Sequence, residues 1–198
     1  MSAAPKSVTP PSPFKVAVRD LPATRTVAVS AAFVADAVKG LPLRDALDGD
    51  AATLDDGGTA VLELYGDEEN VHVSGTVTGK VTVACGRCVG PVGLELGEPV
   101  RVTFLPPHSM PADDLASVED VELGENDLDV YPFDGETVDL EPLIREQFVL
   151  AVPFAPLCRE DCLGLCPQCG ADRNHAPCVC EKPVDPRFAA LQGLKLPS

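Results

Sequence analysis

The sequence is poor in aromatic residues and in histidine. It contains no tryptophan, two tyrosines, seven phenylalanines and three histidines among 198 residues. Hydrophobic residues still make up 45% of the chain, so we expect a core built mainly from valine, leucine and alanine. Because no two histidines are paired at helical spacing, a catalytic zinc site with His or carboxylate ligands and an open position is not indicated.

Basic residues are also scarce. Lys and Arg number 15 against 31 Asp and Glu, which gives a formal net charge of −16. General affinity for phosphate backbones requires clustered positive charge, so the composition argues against it and favours a basic partner, or serves solubility alone. The stretch EDVELGENDLD has six acidic residues and no basic one. It is typical of a solvated connector, and it is also a candidate dock for a basic protein.

Long hydrophobic runs and catalytic motifs are missing as well. Without a run of about 18 apolar residues, we expect no membrane span. The opening MSAAPKSVTP has no apolar signal-peptide region, so we expect a cytoplasmic protein. No Ser-His-Asp set, phosphate loop or recognisable carboxylate pair supports a hydrolase or nuclease. We therefore expect no catalytic residue, no small-molecule substrate and a non-enzymatic function.

The residue pattern predicts an α+β fold, in which an antiparallel β-meander combines with a few short helices and a C-terminal cysteine-rich zinc-binding segment. FKVAVRDL and TRTVAVS are predicted strands, and residues 59–104 alternate with a period of two, with a bend expected at Gly79-Lys80. SAAFVADAVKG predicts a helix capped by Ser30, and VDLEPLIREQFVLAVP a helix capped by Asp139. DPRFAALQGL predicts a terminal helix capped by Asp185.

These patterns divide the chain into three predicted parts. Residues 1–13 are a flexible arm rich in Pro and Ser. Residues 14–157 form the α+β core domain, which includes an acidic linker at 105–129. Residues 158–198 form a cysteine-rich, metal-binding tail with the terminal helix.

The most specific local motif is CPQCG at 166–170. Two thiolates separated by two residues can hold one tetrahedral metal from a tight turn, and the glycine after the second cysteine permits the bend. The surrounding segment has only Leu163, Leu165 and Val179 as large apolar residues, so burial alone cannot order it. Zinc contributes about 10–16 kcal/mol in small modules, which predicts a structural zinc centred on Cys166 and Cys169.

The remaining ligands of this zinc are open from spacing alone. Cys158 and Cys162 lie upstream and Cys178 and Cys180 downstream, with His175 as a further candidate. Six cysteines exceed the four that one zinc requires, and two metals would need shared sulfurs or help from Cys85 and Cys88. An iron–sulfur cluster would also accept these thiolates.

The second pair, CGRC at 85–88, lies between two predicted strands. It suits a simple hairpin turn, half of a metal site, or a redox dithiol. A thioredoxin-like pair begins a helix after a strand, whereas here Pro91 and a strand pattern follow. Arg87 between the two thiols is a candidate partner contact. Because a CxxC pair can act as a redox dithiol, a thiol redox protein that uses Cys85 and Cys88 is the alternative function.

Three stretches in this order resemble one family. They are CGRCV after a strand, VDLEPLIREQFVLAVPFAPLC after an acidic linker, and CREDCLGLCPQCGADRNHAPCVC followed by DPRFAAL. The chain from about 80 to 194 resembles the YceD family of large ribosomal RNA subunit accumulation proteins. The residues that match this pattern are Cys85, Arg87, Cys88, Asp139, Leu140, Glu146, the C-terminal cysteines, Asp185, Pro186 and Arg187.

The resemblance implies a bacterial cytoplasmic factor in ribosome biogenesis, which supports accumulation or processing of 23S ribosomal RNA. Its implied partner is the large-subunit precursor. The acidity of this chain adds a basic ribosomal protein as a candidate, with RNA contact that is weak or indirect. Because family members differ in the C-terminal cysteines, the resemblance implies a structural role for the metal.

Overall fold

The computed structural model describes residues 12–47, 55–109, 129–176, 178–180 and 187. The predicted arm at 1–13 lies mostly outside these residues, as do the greater part of the acidic linker and the predicted terminal helix. The α+β fold class is confirmed, since antiparallel strands dominate and the helices are few and short.

The main sheet has six strands. They are β2 (Ala23–Val29), β3 (Gly57–Asp67), β4 (Asn70–Ala84), β5 (Pro91–Leu96), β6 (Pro99–Leu105) and β7 (Val130–Pro132). Strands β3, β4 and β5 form the antiparallel meander predicted over 59–104, and β2 pairs antiparallel with the outer edge of β3. A small second sheet pairs β1 (Lys15–Ala17) with β8 (Thr137–Asp139).

Strand β4 is the organising strand because its 15 residues pair along one edge with β3 and along the other edge with two strands. Its first half pairs with β6 and its second half with β5, so β5 and β6 lie end to end beside it. Strand β7 adds in parallel to β6. The expected bend at Gly79-Lys80 is absent, since β4 continues through both residues.

Three α-helices were found in the described residues, and two of them match the predictions. Helix α1 (Ala31–Ala37) begins after Ser30, whose side chain accepts from the N–H of Phe33. Helix α2 is the single turn Pro42–Asp45, and α3 is Glu141–Leu150. Asp139 lies in β8 and accepts from the N–H of Glu141, although the residue before α3 is Leu140.

The core lies between one face of the sheet and helices α1 and α3. As predicted from composition, most of its residues are Val and Leu, with Phe104 and Phe148 as the largest fully buried side chains. The helices are also tied together at the surface, where the Arg145 guanidinium contacts Asp36 at 2.8 Å and lies 5.1 Å from the ring centre of Phe33. The longest described helix has 10 residues, and none has the length and apolarity of a membrane span.

Candidate metal centres

The first pair of thiols lies at the end of the longest strand. Cys85 follows β4 directly and is buried, and Cys88 is half-buried in the loop that leads to β5. Strand β4 ends at Ala84, and the chain turns over residues 86–88. The turn therefore presents both sulfurs at one end of the β4–β5 hairpin.

The other six cysteines come from the segment that follows α3. Four of them form two pairs. The sulfurs of Cys158 and Cys162 lie beside those of the β4–β5 loop, whereas the sulfurs of Cys166 and Cys169 lie beside those of Cys178 and Cys180. We call Cys85, Cys88, Cys158 and Cys162 the core-linked cysteine group. We call Cys166, Cys169, Cys178 and Cys180 the C-terminal cysteine group. Within each group all sulfurs lie within 4.8 Å of one another.

Sulfur–sulfur distances in both groups are those of ligands around a common centre. The core-linked group has 3.9 Å between Cys85 and Cys162 and 3.7 Å between Cys88 and Cys158. Zinc–sulfur bonds of about 2.3 Å give tetrahedral edges of about 3.8 Å. A disulfide would require about 2.05 Å, so the sulfurs are near neighbours and are not bonded.

The C-terminal group is somewhat more compact. The sulfur of Cys178 lies 3.4 Å from that of Cys169 and 3.3 Å from that of Cys166. The chain between the two pairs is held by an isolated bridge of Leu165 with Asp172, and the N–H of Cys166 donates to the carbonyl of Ala171 at 2.8 Å. These contacts close the chain around the CPQC turn, and the CVC stretch meets that turn through the sulfur of Cys178.

Electrostatics within the groups depend on which thiols are ionised. Burial raises the pKa of Cys85, but backbone N–H groups, first that of Cys158, stabilise its thiolate and bring the pKa down to about 6. Burial and the neighbouring sulfurs raise the pKa of Cys158 to about 12.

The same division is seen in the C-terminal group. Backbone N–H groups of Cys169 and Gln168 lower the pKa of Cys166 to about 6. Hydrogen bonds with Cys178 and Cys169 raise the pKa of Cys180 to about 12. Without a cation, one thiolate in a group therefore opposes ionisation of others, since adjacent negative charges repel. A divalent cation removes that repulsion, so either group could hold a metal ion.

The donor set decides what chemistry the groups suit. Four thiolates around one point leave no open position, which is the arrangement of structural zinc rather than of catalytic zinc. Thiolate ligands also suit iron–sulfur clusters. His175, a candidate ligand by sequence, belongs to neither group; it is 86% exposed and lies 3.5 Å from Asp172.

Arg87 is engaged within the chain. Its guanidinium donates to the carbonyl oxygens of Cys162 at 2.9 Å and Glu160 at 3.3 Å, and so connects the β4–β5 loop to the segment after α3. The suggested partner contact at Arg87 stays a prediction, while its described contacts are to the segment after α3. No described contact favours the redox use of Cys85 and Cys88, each of which has two further sulfurs beside it.

One contributing residue is missing from the sequence-based interpretation. The amide of Asn174 donates to the sulfur of Cys162 at 3.4 Å, and its oxygen accepts from the N–H of Leu163 and from Arg159, both at 2.8 Å. Asn174 thus fixes the loop around Cys162. Nothing in its spacing to the cysteines distinguishes it from an ordinary turn residue.

Comparison with known proteins finds relatives that match about two thirds of the chain. A protein of Mycobacterium tuberculosis named as uncharacterized is 37% identical over 130 residues, and one of Mycobacterium leprae is 34% identical over 136 residues. These matches cover 66% and 69% of this chain and 58% of each relative, so the chain spans less than two thirds of the relatives' length.

A more distant relative and one family model extend the comparison. The uncharacterized protein YlbN of Bacillus subtilis is 28% identical over 121 residues, which is 60% of this chain and 63% of YlbN. No solved structure matches the chain. The model for the large ribosomal RNA subunit accumulation protein YceD matches residues 73–195, which hold all eight cysteines. The chain therefore belongs to the YceD family.

Proposed function

We propose that the protein is a non-enzymatic cytoplasmic factor in ribosome biogenesis, which supports accumulation or processing of 23S ribosomal RNA and assembly of the large subunit. The family match over 73–195 is the observation that carries this proposal, because it spans the sheet from β4 onward, helix α3 and both cysteine groups. The family is named for the accumulation of large ribosomal subunit RNA.

The charge of the chain suggests how such a factor acts. A net charge of −16 disfavours wrapping of bare RNA and favours contact with a basic protein. The partner is therefore the large-subunit precursor or one of its basic ribosomal proteins, and contact with 23S RNA is weak or indirect. The acidic stretch at 119–129 is the candidate dock by composition; it lies, but for Asp129, outside the described residues.

A structural zinc is the second component of the proposal. The C-terminal cysteine group supplies four thiolates at one point, and CPQCG is the turn that such a site requires. When bound, zinc supplies a covalent-like crosslink and no reaction step. Cys166 and Cys169 would bind the zinc from the CPQC turn, and Cys178 and Cys180 would bind it from the CVC stretch.

The test is capture of partners from a bacterial lysate with the tagged full chain. Binding at low salt should enrich 23S precursor RNA together with large-subunit proteins, and the enrichment should fall steeply as salt is raised, since an acidic surface binds a basic one through screened charges. RNase treatment of the lysate before capture should leave the basic protein bound.

A charge-neutralised variant sharpens this experiment. Changing the six acidic residues of 119–129 to their amides should weaken capture. Neutralising exposed acidic residues elsewhere, at Asp67, Glu68, Glu95 and Glu98, should weaken it less. Capture that does not change with salt, or that enriches no large-subunit component, would contradict the proposal.

A further inference from the structure

The two CxxC turns of the chain have the same backbone geometry. In each turn the N–H two residues after the first cysteine donates to that cysteine's sulfur, at 3.4 Å from Arg87 to Cys85 and at 3.5 Å from Gln168 to Cys166. Such N–H···S bonds stabilise a thiolate and orient it towards a metal. The turn at 85–88, whose sequence suits several roles, thus has the local form of a metal-binding turn.

Two further hydrogen bonds recur at equivalent positions. The N–H of the residue after the second cysteine donates to the carbonyl of the first, at 3.0 Å for Val89 and 2.9 Å for Gly170. The N–H of the first cysteine donates to the carbonyl five residues on, at 2.7 Å to Gly90 and 2.8 Å to Ala171. Three matched hydrogen bonds make the turn at 85–90 a close copy of the turn at 166–171.

Val89 adopts the same left-handed backbone as Gly170, its counterpart in the second turn. Its φ is 63°, in the left-handed region, where Gly170 has φ 71°. A β-branched residue is strained there, and Val89 is 42% exposed, so little burial compensates. A simple hairpin turn would place glycine or asparagine at such a position. A residue in such a conformation persists only where the surrounding structure over-determines it.

The opposite side of the core-linked group comes from a segment 70 or more residues further along the chain. The N–H of Gly86 donates to the carbonyl of Pro156 at 2.8 Å, and the N–H of Leu165 donates to the carbonyl of Arg87 at 3.0 Å. Gly164 packs so closely that an added Cβ would lie 2.8 Å from the carbonyl oxygen of Arg87. The segment around Cys158 and Cys162 is therefore docked on the turn by contacts on both sides of the four sulfurs.

We propose that the core-linked cysteine group is a second structural zinc site, separate from the C-terminal group, so that each chain binds two zinc ions. This site joins the end of the β4–β5 hairpin to the chain after α3 by a metal crosslink. Zinc binds the four sulfurs as thiolates, the thiols that still hold a proton release it to solvent, and the resulting centre carries a charge of −2. The nearby guanidinium of Arg87 offsets part of this charge.

The inference does not depend on the ribosomal role, and metal content tests it separately. Elemental analysis of the purified, reduced full chain should give two zinc ions per chain. The double variant C85S/C88S and the matched double variant C166S/C169S should each retain one, and the variant that combines them should retain none. Each pair thus serves as the control for the other.

A spectroscopic measurement keeps the test valid if a double variant folds poorly. Cobalt(II) titrated into the metal-free wild-type chain should give the absorption of tetrahedral thiolate centres, with saturation at two equivalents. The single variant C88S changes only a half-buried ligand and should lower the intensity by about half. One zinc per wild-type chain, saturation at one equivalent, or two zinc ions retained in C85S/C88S would overturn the proposal, as would iron with sulfide in place of zinc.

Discussion

Val89 and Gly170 occupy the same place in two separate turns, each directly after the second cysteine of a CxxC motif, with φ angles of 63° and 71°. One position has the residue that left-handed backbone favours, and the other has a residue that it disfavours. The relationship identifies Val89 as a place where the local sequence and the local structure disagree.

Replacement of Val89 by glycine should therefore stabilise the protein. Left-handed backbone costs a residue with a Cβ about 1–2 kcal/mol, and glycine avoids this cost. The greater freedom of glycine in the unfolded chain reduces the gain in stability by about 0.5–1 kcal/mol. We expect V89G to raise the free energy of unfolding by roughly 0.5–1 kcal/mol, measured by denaturant unfolding of the zinc-loaded protein.

Two matched variants check the cause. V89A removes the methyl groups but keeps Cβ, and it should recover only a small part of the gain. G170A should destabilise the protein, and since an added Cβ at Gly170 meets no atom within 4 Å, its effect reports the backbone conformation. Equal stability of V89G and V89A would contradict the explanation.

The segment after α3 should depend on metal for its order. Its large apolar side chains contribute little, because Leu163 is 55%, Leu165 37% and Val179 97% exposed. In reduced protein treated with a chelator, we expect amide hydrogen exchange to rise sharply over 158–180, while amides of β3 and β4 stay protected. Restored protection after zinc is added back is the control. A metal-free segment that remains protected would show that other contacts order it.

Much of the fold follows from local pattern. Alternating valines predict β4, and Ser30 with the apolar face of SAAFVADAVKG predicts α1, because these signals involve residues within one element. The pairing of β6 with β4 rather than with β5 was not predicted. It depends on the length of β4, whose 15 residues give room for two strands along one edge.

The candidate site was predicted only in part, for a similar reason. CPQCG indicates a metal-binding turn because its proline and glycine are local signals. CGRCV conceals the same turn, since valine stands where glycine is expected. The other members of the core-linked cysteine group, Cys158 and Cys162, lie 70 or more residues away, and no spacing rule connects them to CGRCV. The composition did contain one usable signal, since eight cysteines are enough for two groups of four.

A buried polar cluster beneath α2 was likewise invisible to pattern. Arg44 contacts Asp56 at 2.9 Å and also donates to the carbonyl of Thr82, whose hydroxyl donates to Asp56 at 2.7 Å. The side chain of Asp56 is fully buried and that of Arg44 is 7% exposed. Removing one partner of a buried pair leaves an uncompensated charge.

D56N should therefore destabilise the protein by about 3 kcal/mol or more, measured by chemical denaturation. The adjacent residue offers a matched control, since Asp55 is 97% exposed and contacts Lys80 at 3.4 Å. D55N should cost less than about 1 kcal/mol, as exposed ion pairs do. Similar losses for the two variants would mean that burial of the Arg44–Asp56 pair does not determine its contribution.

The close approach of β3 and β4 at Gly75 leads to the last prediction. An added Cβ at Gly75 would overlap the carbonyl oxygen of Val61 and lie 2.9 Å from the Cα of Leu62, both of which belong to the paired strand. Neither atom can move without opening the ladder at the centre of the sheet. G75A should therefore cost at least about 2 kcal/mol and lower the yield of folded protein. G97A makes the same chemical change between β5 and β6, where nothing lies within 4 Å of the added carbon, and it should leave the free energy of unfolding within about 0.5 kcal/mol of the wild type. If both variants unfold at the wild-type midpoint, β3 leaves room for a side chain at Gly75.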